Sequence, residues 1–235
     1  MYIGKAPANA ALTADDITDG IISTAKLQND AVDNTKLDLA DNFAFTGTVT
    51  GTPLGMTLLA SQTATGSGAS SLAFDNAISA TYPYYRIYID SLTPTGNSTN
   101  FYCRFIQASG VITSSDYIHV VDGAYRRIDT DASGNTYNAG EGTFIRMNGD
   151  ADLSNNDQYA TNMIIDILNP LNTTTYKCIQ WQSTASGSST GNNYNTWSGS
   201  GWLKNTSALT GIQFYFSSGD VAVPTKMRMY GVTGT

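Results

Sequence analysis

The run YYRIYIDSL, residues 84–92, sets Tyr85, Ile87 and Ile89 on one parity and Arg86, Tyr88 and Asp90 on the other. A period of two is the pattern of a strand with one face buried and one face wet. The run NFYCRFIQA, residues 100–108, repeats it, with Phe101, Cys103 and Phe105 alternating against Tyr102, Arg104 and Ile106. MTLLAS, YIHVV, GTFIRM, TNMIIDIL, TTYKCIQWQS, GIQFYFSS and TKMRMYGV bring the total to about nine strands. Turn-forming clusters such as TPTGNSTN, DASGNT and LNPLNTT separate them. No helical run exceeds ten residues. The spacing predicts an antiparallel β-sandwich, jelly-roll-like, over residues 54–235.

The first part of the chain differs. Leu12, Ile17, Ile22, Leu27, Val32 and Leu37 recur at intervals of five. As a helix, such residues spread around the cylinder and make no stripe. As one flat strand, they fall alternately on opposite faces. Three chains wound about a common axis bury them, each contributing one apolar group to every layer. Residues 12–53 are therefore expected to form an extended repeat stem in a homotrimer. A disordered linker and a pentapeptide-repeat β-helix are the competing readings; the latter needs many stacked coils. Residues 1–11, small and without a core of their own, are expected to order only against a partner.

The formal net charge is -7, so no general attraction to phosphate backbones exists and nucleic acid is not an expected partner. Charged residues make up only 13%, and the polarity comes instead from Ser, Thr, Asn and Gly. The start, MYIGKAPANA, lacks a basic segment followed by an apolar run. No stretch approaches the ~20 apolar residues of a membrane span. Synthesis in a cytoplasm without membrane insertion is the expectation. Two cysteines, Cys103 and Cys178, are too few for a disulfide scaffold and read as buried thiols.

Catalytic chemistry finds little support. His119 is the only histidine and Glu141 the only glutamate. No two-histidine metal site and no paired glutamates can form within a chain. Asp150, Asp152 and Asp157 with Asn148, Asn155 and Asn156 offer oxygen ligands for Ca²⁺, but the EF-hand glycine and glutamate are missing, and a solvated turn accounts for them. We expect no enzyme activity, no cofactor and no metal.

One stretch suits binding. Residues 181–203, WQSTASGSSTGNNYNTWSGSGWL, hold all three tryptophans and Tyr194 on a Ser, Gly and Asn background. Read as a long loop, it has the composition of a paratope. Candidate ligand-binding residues are Trp181, Asn192, Asn193, Tyr194, Asn195, Trp197 and Trp202. For Trp181 and Trp202, next to strands, core packing is the favoured reading. For Tyr194 and Trp197, binding and packing stand side by side.

The segments YIGKAPA, ITDGIISTAKL and DAVDNTKL resemble the N-terminal stems of tail-fibre and other appendage proteins of tailed bacteriophages, marine ones especially. AFDNAISATYPYYRIYIDSL, NPLNTTTYKCIQWQS and MRMYGV resemble the β domain that often follows such stems. The resemblance implies a virion protein, released by lysis. Residues 1–11 would attach it to other virion proteins. The β domain would face a host surface glycan or protein. A capsid-attached head fibre or a cement or decoration protein with a passive domain is the alternative.

Overall fold

The structure is a computed structural model that describes residues 55–127, 129–187 and 193–233. The chain divides into two units, 1–51 and 52–235. The expected attachment segment 1–11 and the stem 12–53, with Leu12, Ile17, Ile22, Leu27, Val32 and Leu37, lie outside the described residues. The unit described is all β, in two antiparallel sheets.

Strands are numbered in chain order. The larger sheet has eight, running β1 (Met56–Thr63), β13 (Lys226–Val232), β3 (Tyr84–Leu92), β9 (Thr161–Leu168), β10 (Lys177–Gly187), β11 (Asn193–Leu203), β6 (Tyr117–Arg127) and β7 (Ser133–Gly142). The smaller sheet runs β2 (Leu72–Phe74), β12 (Gly211–Phe216), β4 (Phe101–Gln107) and β5 (Gly110–Val111), with β8 (Ile145–Arg146) also paired to β4. The two sheets make a β-sandwich. The inner parity of β3 and β9 supplies Ile87, Ile89, Ile165 and Ile167, all but fully buried. They share one apolar core with Phe74, Phe101, Phe105 and Phe214 of the smaller sheet. Each such side chain contributes roughly 1.5–3 kcal/mol on burial. Tyr117 of β6 ties the layers: its hydroxyl donates to the Ile112 carbonyl (3.1 Å) and accepts from the Phe105 amide (3.0 Å).

Each of the nine alternating runs contains a strand. Four strands carry no such run: β2, β5, β7 and β11. In β7, exposure alternates along the strand while hydropathy does not, because its inner positions carry Gly134, Thr136, Asn138, Gly140 and Gly142. DASGNT, expected as a turn, therefore contributes to β7. Residues 181–203 are not a loop: β10 and β11 pair from Lys177↔Leu203 to Gly187↔Asn193. Glycine permits this pairing. A Cβ at Gly199 would stand 2.2 Å from the Trp181 ring, so the indole lies across its partner strand only because nothing projects there.

The segment 147–160 is more than a solvated turn. Asn148 is fully buried, accepts from the Phe101 amide (2.9 Å) and donates to the Asn100 side chain and the Ala151 carbonyl. Met147 accepts the Trp181 indole N–H (2.9 Å), and Gly149 lies against the Trp197 indole. This segment thereby covers inner faces of β10 and β11.

Candidate functional site

Strand parity sorts the predicted binding residues onto two faces of the larger sheet. Trp181, Trp197 and Asn195 point inward and are 3%, 1% and 3% exposed. The two indoles are core, so Trp197 offers no ring to a ligand, contrary to the binding reading. Asn193 shares this parity, and its side-chain oxygen is buried. Tyr194 and Trp202 point outward, at 48% and 37% exposure. Trp202, expected in the core, is instead a surface ring, because it lies an even eight positions from Tyr194 and an odd five from Trp197. Asn192 lies outside the described residues.

Trp202 lines a depression of about 670 Å³ on the outer face. Register builds it in two rows. In one, Arg86 is opposite Asp166, Asp166 opposite Gln180, Gln180 opposite Ser200 and Ser200 opposite Val120. In the other, Ile164, Gln182, Ser198 and Asp122 follow in the same way. Serines form the floor on β11, and longer side chains on the flanking strands form the walls. Gln180 and Gln182 lie in TTYKCIQWQS, a strand-like run with no face assigned from sequence. Arg86, Asp122, Asp166, Ser198 and Ser200 carry no motif, since pairing across five strands brings them together.

Of the three charged side chains lining this depression, Arg86, Asp122 and Asp166, two form an ion pair. Arg86 donates from Nε and one terminal nitrogen to the two oxygens of Asp166, each at 2.7 Å. That bidentate pair raises the guanidinium pKa above its ordinary value, against a smaller opposing effect of burial. Asp122 accepts its neighbour's amide from Gly123 (2.8 Å). What remains is a surface of carboxamides and hydroxyls, with the Asp122 carboxylate, beside one indole and the apolar Val120 and Ile164. Such a surface suits a polyhydroxylated ligand, whose rings have apolar faces and whose edges exchange hydrogen bonds.

His119 is buried on the inner face, and its Nε2 lies 3.0 Å from the Asn138 side-chain oxygen. Burial pushes its pKa down, the Asn138 contact opposes this, and Arg146 adds to the lowering. Asn138 donates in turn to Asp150 (3.1 Å). Asp157 opens a short 3-10 turn, Asp157–Tyr159. Among the described residues, no three His, Cys, Asp or Glu side chains converge as metal ligands. Glu141 lies in β7, 3.6 Å from Lys204. Cys103 is buried and Cys178 half-buried, both free.

No protein-family model, curated protein or solved structure matches the chain.

Proposed function

We propose that this chain is a virion protein of a tailed bacteriophage, a homotrimeric tail fibre whose β domain binds a glycan on the host surface. Residues 1–11 join it to another virion protein, and residues 12–53 form the trimeric stem. The observation that carries the binding role is the outer-face depression, where exposed Trp202 adjoins Gln180, Gln182, Ser198 and Ser200. We read the strand order as a jelly roll. The strands β1-β13-β3-β9 face β2-β12-β4-β8, and β6, β7, β10 and β11 extend the first set. That architecture serves capsid and lectin domains alike, so it bears on the class of protein and not on the ligand.

The capsid alternative has one specific observation in its favour: Trp197, a ring a receptor reader would display, is core. Electron microscopy of virions labelled on this protein separates the two. Label on the tail supports host recognition; label on the shell supports decoration. In parallel, purified full-length protein should bind host cells and block adsorption of the phage. Trp202→Ala with Gln182→Ala should remove both effects while shifting the melting temperature by no more than about 4 °C. Undiminished blocking by that folded variant would remove the binding role from this face.

A further inference from the structure

Three depressions on the outer face join end to end. The one at Trp202 shares Ile164, Gln182 and Ser198 with a second of about 490 Å³. The second shares Thr184 and Thr196 with a third of about 520 Å³, which reaches Tyr194. The outward residues of β11 thus read Tyr194, Thr196, Ser198, Ser200, Trp202: small hydroxyl side chains between two exposed aromatic rings. Those rings lie eight positions apart along the strand, or roughly 26 Å at ~3.3 Å per residue.

The groove has a direction. Met56, at the start of the described chain, is level with Trp202 through Val232, Tyr84, Leu168 and Cys178, each opposite the next. Tyr194 lies at the other end of β11, beside the chain's return from β10.

Resting on the glycan reading above, we propose that this groove takes a linear, uncharged oligosaccharide laid along β11 from Trp202 to Tyr194. Three observations select that occupant. First, β10 and β11 are each paired on both sides, so their backbone groups are used and an added peptide strand has no edge to join. Second, the floor is Ser and Thr, which the cores of protein–protein interfaces disfavour, and this argues against a second copy of the chain. Third, the groove's arginines are already engaged, Arg86 with Asp166 and Arg126 with Asp131, which argues against an acidic chain. Amides and hydroxyls along the length, with the Asp122 carboxylate as a further acceptor and an aromatic platform at each end, match successive neutral sugar rings.

The test uses the full-length protein and an array of uncharged linear glucans, mannans, galactans and xylans, each as a ladder from disaccharide upward. Surface polysaccharide from adsorbing cells is added, split into neutral and acidic fractions, with unrelated peptides alongside. The expected result is binding to a neutral chain that strengthens with length and then levels off. Trp202→Ala and Tyr194→Ala should each weaken the long chain by about ten-fold or more. Tyr194→Ala should also shorten the length at which affinity levels off. Ser198→Arg, which fills the floor without removing a ring, should abolish binding while the protein stays folded. Binding that is independent of length, confined to acidic chains or peptides, or undiminished in these variants overturns the proposal. If the protein binds host cells but no neutral chain, this inference falls and the host-binding function stands. If it binds neither, both fall.

Discussion

Trp197 and Trp202 lie five positions apart on one strand and face opposite ways. Trp197 is sealed between its partner strands and Gly149, and Gly123 leaves room for its ring. Trp197→Ala should therefore cost about 3–5 kcal/mol of unfolding free energy. Trp202→Ala should cost under about 1 kcal/mol, its ring being partly in solvent already. Urea titration of the two variants reads the difference. His119 predicts a pH effect. Its pKa in the fold lies below the ordinary 6.5, so between the two values the unfolded chain binds a proton that the folded chain does not. Its contribution is complete above 6.5 and is lost as pH falls through that window. Melting temperature should drop between neutral and mildly acid pH, and His119→Gln should flatten the slope. An equal slope in the variant would assign it to carboxylates.

At the scale of elements, β11 shows how a strand can be built without apolar alternation. Its inner parity reads Asn193, Asn195, Trp197, Gly199, Gly201 and Leu203, and large side chains from neighbouring elements fill the spaces over the glycines. Trp181 overlies Gly199, and Ile145 of β8 reaches Gly201. Gly199→Ala should overpack the Trp181 contact and cost about 1–3 kcal/mol. Ser198→Ala, one residue away on the wet face, should stay within about 0.5 kcal/mol. Thermal melts of the pair test whether the apposition is as tight as the 2.2 Å approach indicates.

At the scale of the molecule, the proposed trimer rests on the five-residue series from Leu12 to Leu37, which a single chain cannot bury. Sedimentation should give about three times the 25.0 kDa chain mass. Ile22→Asp with Leu27→Asp should weaken the assembly, since each buried aliphatic group contributes roughly 1.5–3 kcal/mol and every site counts in each copy. Removing residues 1–54 should leave a folded β unit, because the core of that unit draws on residues from Leu59 onward. A full-length protein that sediments as a monomer at micromolar concentration would remove the trimer.

Local pattern was enough for the β class and for the strands whose two faces meet different media. Tyr85, Ile87 and Ile89 against Arg86, Tyr88 and Asp90 is such a case, because burial on one face selects apolar side chains directly. The proposed stem rests on the five-residue series alone. β7 and β11 were not legible as strands, because a glycine that makes room for a neighbour's ring carries no sign of that ring in its own sequence. The site was hidden for a related reason. Arg86, Asp166, Gln180, Ser200 and Val120 come from five strands spread over more than a hundred residues, and only pairing order and register make them neighbours. Which tryptophan faced solvent was settled by where the smaller sheet and the segment 147–160 lay, since parity distinguishes two faces but does not say which of them will be covered.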